Sequence, residues 1–442
     1  MTEQAAVVES TARALLARLA AVQRAARLPS VSVALVRDGA VCWSASRGEA
    51  TGGPPAGPDL QYRIGSITKT LTAVRVLQLA GAGALDLDTR VGDVLGDIGY
   101  ADRTVRSLLS HSSGMQSEPV GSWWERSPGG SWEELAAAHD GSLAVLPGER
   151  RFHYSNLGFA LLGRVTEVVS GEPWWSGVRE RVLAPLGMDR TSYLPEPPAA
   201  QGFSVDPYAA TLHPEPATDT GAMAPAGQVW STTADLARYA VFLLEGHPDV
   251  LPLEVLLTAS HPQSGDRHDE LTWAQGLGFA LARGGSGMLV GHTGSMPGFL
   301  AGLFVDRGRG TGGVLLANGT TGTDTLPVVR GLLERLEEHE PTIPAPWRPQ
   351  QAVPPELADV LGVWHWGNTP LVFALEEGLL VAREGGEQDY SFAVRDGRIV
   401  GVSGYHTGET LHVRRGDDGS VSHLEIATFV YTRSPGPHPS GR

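Results

Sequence analysis

A serine and a lysine stand three residues apart in the stretch Gly65-Ser66-Ile67-Thr68-Lys69, at the start of a segment with helical apolar spacing. Residues at this spacing share one face of a helix, so the two side chains can touch. An ammonium group cannot act as a base, but a buried lysine with a lowered pKa can take the serine proton and create a nucleophile. The pair alone also fits the polar first turn of an ordinary helix, so other residues must decide.

A second candidate group is Tyr154-Ser155-Asn156, which precedes another segment of helical apolar spacing. A tyrosine near a lysine can act as a phenolate or as a proton relay to a leaving group. An asparagine amide can hold the amide carbonyl of a substrate. Without any chemistry, Asn156 would cap the helix and Tyr154 would pack at its entrance, and Asn156 can serve both roles.

A third candidate group is the segment Gly291-His292-Thr293-Gly294-Ser295. Its glycines allow a substrate backbone to approach closely, and the amide of Ser295 can form an oxyanion hole with the amide of Ser66. His292 is a candidate proton relay, or a donor to a substrate carboxyl or carbonyl group, unless it is simply a turn histidine. The candidates for substrate binding in this segment are Thr293, Gly294 and Ser295.

Taken together and in this order, Ser-x-x-Lys, Tyr-x-Asn and a basic residue followed by Thr-Gly resemble the signature of penicillin-recognising serine enzymes. The chain is similar to the superfamily of class C β-lactamases, DD-peptidases and esterases. The resemblance covers about residues 8–338. It includes three further characteristic stretches, "TVRSLLSHSSGM", "LAPLGMDRTSY" and "STTADLARY".

This resemblance implies a catalytic role for each of three residues. Ser66 would be the nucleophile, Lys69 its base and Tyr154 the acid/base of the second step. Many β-lactamases and DD-peptidases have a lysine where this chain has His292. A His-Thr-Gly segment is similar to those of the esterase, D-aminopeptidase and peptide-cyclase branches, so the resemblance argues against penicillinase activity.

The elements that must position these residues fit an α+β fold. The stretch "SVSVALVRDGAVCWSASRG" predicts a hairpin near the beginning, and "GFLAGLFVDRGRGTGGVLLANG" predicts another after residue 297. Mostly helical patterns lie between them. We therefore predict one antiparallel sheet, built from both ends of residues 1–340 and flanked by helices, with a helical subdomain, as in the β-lactamase/transpeptidase fold.

The remaining residues predict a linker and a second domain. Residues 341–355, "PTIPAPWRPQQAVPP", form a stiff proline-rich linker in this interpretation. Residues 356–442 contain short strand patterns at regular spacing, separated by turn signals, which favour a small antiparallel barrel. The segment Leu361-Gly362-Val363-Trp364 resembles the Gly-x-Trp start of lipocalin-like barrels, so we predict an all-β lipocalin-like domain.

Composition excludes several classes of function. The 34 basic and 49 acidic residues give a formal charge of −15, which argues against nucleic acid or anionic membrane as a partner. A single cysteine, Cys42, excludes a disulfide framework, and we predict no metal or cofactor. The N-terminal segment has acidic residues among its apolar ones and predicts an amphipathic helix rather than a signal peptide, so we expect a cytoplasmic location.

These observations favour an enzyme that forms an acyl-enzyme on Ser66. A cytoplasmic enzyme needs a cytoplasmic acyl donor, and the chain resembles stand-alone penicillin-binding-protein-type thioesterases. Our prediction is a trans-acting thioesterase that releases a nonribosomal peptide from a carrier-protein thioester by head-to-tail macrocyclisation. Its partners would be the peptidyl thioester and a synthetase carrier domain.

Other functions stay open. The main alternative is an esterase, a D-aminopeptidase or a DD-carboxypeptidase-like hydrolase acting on small esters or D-amino-acid peptides. A β-lactamase is a further alternative. A binding module that has lost catalysis is a different class, which the presence of Ser66, Lys69 and Tyr154 disfavours.

Overall fold

The chain forms two compact units, Met1–Ile343 and Pro344–Arg442, in a computed structural model. The structure describes residues 6–49, 55–148, 151–265, 272–285, 287–320, 322–343, 346–349 and 352–436, and only the backbone of residues 387–389. The division between the units falls within residues 341–355, for which the linker role stays a prediction.

The first unit is built around an antiparallel sheet. Its strands are β1 (Ser30–Arg37), β2 (Ala40–Gly48), β3 (Tyr62–Arg63), β4 (Phe203–Val205), β5 (Leu212–Pro214), β6 (Trp230–Ser231), β7 (Ser264–Gly265), β8 (Trp273–Gln275), β9 (Ala280–Arg283), β10 (Met288–Met296), β11 (Phe299–Asp306) and β12 (Thr311–Ala317). In the described residues, eight of these strands join in the order β2-β1-β12-β11-β10-β9-β8-β7. Strand β1 pairs with β12, from Val31 opposite Ala317 to Arg37 opposite Thr311. The prediction of one sheet from both ends of the unit is confirmed.

Helices cover both faces of this sheet. The helices of this unit are α1 (Glu9–Ala25), α2 (Thr68–Gly81), α3 (Val91–Leu95), α4 (Val105–Leu109), α5 (Trp132–Ala137), α6 (Asn156–Ser170), α7 (Trp174–Val178), α8 (Ala224–Gly227), α9 (Thr233–Glu245), α10 (Leu253–Ala259) and α11 (Thr325–His339). Alternate side chains of β1 enter two cores: Val33 packs in the core with α1 and α11, and Ala34 packs in the larger core with α2 and α9. The period of two in a strand thus buries the sheet between two helical layers.

Helix α2 lies in the centre of the larger core. Its residues 68–77 are all buried, including several polar ones, which must find partners inside the protein. Thr72 donates its hydroxyl hydrogen bond to the carbonyl of Pro225, at 2.9 Å. This contact ties α2 to the short helix α8, and both helices contribute to the site described below.

The second unit is an antiparallel barrel. Its strands are β13 (Gly362–Trp366), β14 (Thr369–Glu376), β15 (Leu379–Glu384), β16 (Glu387–Arg395), β17 (Arg398–Ser403), β18 (Thr410–Arg415), β19 (Val421–Ile426) and β20 (Phe429–Tyr431). Within the described part of this unit, the eight strands pair in chain order, and a bridge from His365 to Thr432 joins the first strand to the end of the last. Trp364 is fully buried in the core, and its indole N–H donates to the carbonyl of Val360 at 2.6 Å. The predicted all-β barrel is confirmed.

Membrane crossing requires a long apolar helix. Among the helices that the structure describes, none has the length and apolar character to cross a bilayer.

Candidate active site

Ser66 lies in a 3₁₀ turn, Gly65–Ile67, that continues directly into α2. The turn begins with Gly65 in the left-handed region, at φ +52°, where a side chain would be strained. A Cβ atom on Gly65 would also lie 2.6 Å from the backbone nitrogen of Ser295. Glycine at this position therefore allows β10 to pass directly beside the serine.

Lys69 is fully buried one turn after Ser66. Its Nζ donates to Ser66 Oγ at 2.9 Å and to the carbonyl oxygen of Ala226, in α8, at 2.7 Å. The two contacts fix the amine over the serine hydroxyl. The predicted Ser66–Lys69 contact is therefore present, and it depends on a third residue that the sequence did not single out.

The surroundings of Lys69 favour its neutral form. Burial lowers the pKa of Lys69 to about 7, although the carboxylates of Glu118 and Glu125 act in the opposite direction. A neutral amine can accept the serine proton along the same 2.9 Å contact. At neutral pH a large share of the molecules thus carries a base beside the hydroxyl.

Tyr154 supplies the second contact to the serine. Its phenol O–H donates to Ser66 Oγ at 2.9 Å. Burial raises the pKa of Tyr154 well above its ordinary value, and the hydrogen bond to Ser66 opposes this only in part. The phenol is therefore protonated at neutral pH, which favours the proton-relay role over the phenolate role.

His111 supports the ring of Tyr154. The two rings stack with their centroids 4.2 Å apart. His111 Nδ1 accepts a hydrogen bond from the backbone N–H of Ser155 at 3.1 Å, and burial lowers the pKa of His111 well below its usual range. This neutral histidine positions the tyrosine but does not touch the serine hydroxyl.

Asn156 is the first residue of α6 and not its cap. Ser155 caps the helix instead, through its side chain and the backbone N–H of Gly158. The interpretation of Asn156 as a helix cap is therefore wrong, because a serine one position earlier performs that role. The Asn156 amide Nδ2 donates to Glu118 Oε1 at 2.7 Å.

The third motif forms the end of β10 beside the serine. Strand β9 pairs with β10 only at residues 288–291 in the described chain, so residues 292–296 present one backbone edge away from β11. A Cβ atom on Gly294 would lie 2.0 Å from the carbonyl oxygen of Ile64. Thr293 is partly exposed and Ser295 is exposed, so this edge is open to an extended substrate.

His292 is buried at the start of this edge, with its ring centroid 6.2 Å from that of Tyr154. Burial and the nearby Lys69 lower the pKa of His292 to about 4, despite the opposing hydrogen bond to Thr293. Its Nδ1 lies 2.6 Å from the carbonyl oxygen of Thr293, which can only accept, so Nδ1 carries the proton. The neutral ring then has Nε2 as an acceptor, which fits a proton relay and not a donor to a substrate.

Glu118 and Trp124 are residues that the chemical motifs do not indicate. Trp124 is buried, and its indole Nε1 donates to Glu118 Oε2 at 2.7 Å. The neighbouring Trp123 is exposed, so of these two adjacent tryptophans one faces the interior and the other faces solvent. Across the described residues, we find no cluster of histidine, cysteine and acidic side chains arranged to hold a metal ion.

Sequence comparison agrees with this geometry. The family described as Beta-lactamase matches residues 11–334. The chain belongs to the β-lactamase family. Penicillin-binding protein 4 of Amycolatopsis lactamdurans is 31% identical over 336 residues, which cover 70% of this chain and 85% of that relative. A second family, a domain of unknown function (DUF7586), matches residues 353–433.

Solved structures resemble the β-lactamase family chain over one unit or both. The crystal structure of SurE with D-Leu has a TM-score of 0.61 and 25% identity, and covers 97% of this chain and 100% of that one. A D-stereospecific amidohydrolase from Streptomyces sp. has a TM-score of 0.60 and 27% identity, and covers 72% and 96% of the two chains. The chain is thus a serine hydrolase of the β-lactamase and penicillin-binding-protein superfamily.

Proposed function

We propose that the protein transfers acyl groups through an ester on Ser66. The observation that carries this proposal is the pair of 2.9 Å contacts that Ser66 Oγ receives from Lys69 Nζ and Tyr154 OH. One contact comes from a group that can take a proton and the other from a group that can give one. A partly exposed serine with a purely structural role does not require both a proton acceptor and a proton donor at its hydroxyl.

The proposed acylation step begins with neutral Lys69. Its amine takes the proton of Ser66 as Oγ bonds to the donor carbonyl carbon, and the carbonyl oxygen gains the negative charge. The backbone amides of Ser66 and Ser295 stabilise this oxyanion. When the tetrahedral intermediate collapses, the bond to the leaving group breaks, and the proton returns to that group from Lys69 through the Tyr154 hydroxyl.

The second step is the reverse with a new nucleophile. Water or an amine attacks the ester carbonyl, loses one proton to the Tyr154–Lys69 pair, and releases Ser66 Oγ, which regains a proton. Water gives a free acid, and an amine gives an amide. The same residues therefore support hydrolysis and cyclisation, and the identity of the nucleophile decides between them.

We expect the rate of acylation to follow the fraction of Lys69 that is deprotonated. Because Lys69 must be neutral and its pKa is about 7, the rate should rise about tenfold per pH unit below that value and level off above it. His292, with a pKa of about 4, should add no further step between pH 5 and 8. The pH dependence of Ser66 inactivation by a fluorophosphonate measures this profile, and a rate that is flat through pH 7 would contradict the role of Lys69.

The donor is proposed to end in a D-residue. Two similar structures support this: SurE was crystallised with D-Leu, and the Streptomyces enzyme is D-stereospecific. The neutral His292 also leaves the motif without the cation that a lysine would offer to a substrate carboxylate. This disfavours penicillins and cell-wall peptides that carry a free carboxylate at that position.

The more specific proposal is a peptide cyclase. In this proposal the donor is a peptidyl thioester on the carrier domain of a nonribosomal synthetase, and the nucleophile is the amine of the same peptide. What supports it is the resemblance of the sequence to stand-alone penicillin-binding-protein-type thioesterases, together with a barrel unit after the catalytic unit. Such an enzyme works in the cytoplasm, where carrier-bound thioesters are made. The alternative is a hydrolase of small esters or D-amino-acid amides.

Matched peptidyl thioesters test the donor and the product. Two thioesters that differ only in a D- or L-residue at the C-terminus are incubated with the protein, and the products are separated by mass. We expect the D-thioester to be consumed at least about 100-fold faster, as a site built around one stereoisomer leaves the other misaligned, and to give the cyclic peptide. The Ser66→Ala variant controls for spontaneous release. Linear acid as the sole product from several D-peptides would reject the cyclase and retain the hydrolase.

A further inference from the structure

Glu118 joins two separate parts of the site. Its Oε1 accepts from Asn156 Nδ2, on α6, and its Oε2 accepts from Trp124 Nε1, each at 2.7 Å. Asn156 and Trp124 are buried, with 7% and 8% of their surfaces exposed, while Glu118 itself is exposed. A single carboxylate thus holds two buried side chains from the solvent side, one with each oxygen.

Both partners of Glu118 lie beside the serine. A Cβ atom on Gly227 would lie 3.4 Å from the outer ring atom Cη2 of Trp124 and 3.8 Å from the carbonyl carbon of Gly65. Asn156 follows Tyr154 by two residues at the start of α6. The orientation of the indole and of the amide therefore determines the space next to Ser66.

Trp124 also lines a cavity of about 200 Å³, together with Met223, Thr220 and His139. An indole that borders open space on one side has room to change its orientation. The hydrogen bond to Glu118 restrains rotation of the indole, because the ring has a single N–H donor and Glu118 accepts it.

We propose that Glu118 is a positioning residue, whose carboxylate fixes the Asn156 amide for the donor and holds the Trp124 indole as the wall beside Ser66. The part that concerns Asn156 rests on the proposed acyl-transfer function. One amide hydrogen of Asn156 is bound to Glu118, which fixes the rotation of the amide group. The second amide hydrogen and the amide oxygen can therefore face the peptide of the acyl donor in only one orientation. Glu118 acts through these two groups and does not touch the reacting atoms.

The charge of Glu118 gives this role a second signature. Its carboxylate favours the protonated form of Lys69 and so raises the pKa of that amine, against burial. The other titratable groups near Lys69 are Glu125, from the same loop, and His111, Tyr154 and His292, from three further elements. A change at Glu118 alone leaves all of these in place, so its electrostatic effect can be measured separately from its hydrogen bonds.

Two substitutions separate the charge from the hydrogen bonds. E118Q keeps the size of the side chain but removes the charge and replaces one acceptor oxygen by a donor NH₂ group, which cannot accept from both partners. E118D keeps the charge but is one methylene shorter, so it cannot reach both partners. W124F is the matched control at the other end of one contact, because it removes the indole donor and keeps an aromatic ring.

The probe is the diphenyl phosphonate analogue of N-acetyl-D-alanine, which carries an amide group and inactivates a nucleophilic serine. We expect E118Q, E118D and W124F each to weaken probe binding (KI) by roughly fivefold or more, since each loses a hydrogen bond to a charged group. The maximal inactivation rate at high pH should change little. Only E118Q should move the acid limb of the rate to lower pH, by roughly 0.3–1 unit, because only it removes the negative charge.

Two results would overturn the proposal. One is an E118Q protein with wild-type KI and an unmoved acid limb. The other is an E118D protein that binds the probe as the wild type does, since that would make the two-oxygen contact irrelevant. Inactivation requires no acyl-transfer product, so a wild-type protein that reacts with the probe but turns over neither a thioester nor a small ester or D-amino-acid amide would reject the proposed function and leave the Glu118 test intact.

Discussion

Replacement of Lys69 by methionine is expected to slow acylation of Ser66 by roughly 10³-fold or more, the loss usual when a serine enzyme loses its base. Methionine has a similar length, fills the same buried space and cannot accept a proton. Ser66 would keep its contact with Tyr154, which is protonated and cannot replace the base. The rate of inactivation by a fluorophosphonate, followed by intact mass, measures the loss.

The same substitution should change the stability of the protein in a defined direction. Burial lowers the pKa of Lys69 from 10.5 to about 7, so between these values the folded protein binds fewer protons than the unfolded chain. The contribution of Lys69 to the free energy of unfolding therefore rises with pH in that window, by about 1.4 kcal/mol per unit. Lys69→Met lacks this contribution. The amount by which its free energy of unfolding exceeds that of the wild type should therefore be largest near neutral pH and should shrink as the pH rises.

Urea unfolding of both proteins between about pH 7 and 9 measures that difference. The Ser66→Ala variant is the control, because it abolishes acylation and leaves the buried amine in place. Should Lys69→Met acylate within tenfold of the wild type, the amine is not the base. Should the stability difference not depend on pH, Lys69 is not buried as a neutral group.

Replacement of Tyr154 by phenylalanine is expected to lower turnover by about 10²- to 10⁴-fold, the usual contribution of one proton-transfer group. The ring that stacks on His111 is retained, and only the O–H that contacts Ser66 is lost. Because the tyrosine relays protons in both steps, the acyl-enzyme should also persist. Intact mass spectrometry after mixing with a donor ester should show Ser66-linked acyl groups that the wild type loses quickly.

The protein offers a matched control for this change. Tyr193→Phe removes a phenol that donates to Asp219, at 2.6 Å, and not to the serine. We expect turnover by this variant to stay within about threefold of the wild type, as for most changes away from a site. If Tyr154→Phe behaves in the same way as Tyr193→Phe, the hydroxyl of Tyr154 has no part in proton transfer.

The sequence predicted those features that depend on local spacing. Ser66 and Lys69 meet because a helical turn brings residues three apart to one face, and no distant contact is needed for that inference. The antiparallel sheet and the barrel followed from short strand patterns on either side of turn signals, which favour hairpins. The assignment of Tyr154 and His292 needed the order of the motifs, since nothing local distinguishes them from ordinary residues.

Other features of the site depend on packing between distant segments. The carbonyl of Ala226 binds Lys69, but a backbone oxygen on an alanine carries no signal in a sequence. Glu118 meets Asn156 only after α6 has packed against the loop between α4 and α5, which carries Glu118 and Trp124. The sequence also could not predict which ring nitrogen of His292 carries the proton. That depends on where the backbone places the carbonyl oxygen of Thr293.

The pairing of β1 with β12 has a consequence for when activity can appear. It joins Val31 to Ala317, so Ser66, Tyr154 and His292 all lie within one long loop that this pairing closes. Contacts between such distant residues form slowly, because the chain must lose much conformational entropy before these contacts can stabilise it. During synthesis the serine emerges early, but the edge that flanks it emerges more than two hundred residues later. We therefore expect the nascent chain to be unreactive. During refolding, the appearance of reactivity towards a phosphonate would report the formation of the β1–β12 pairing.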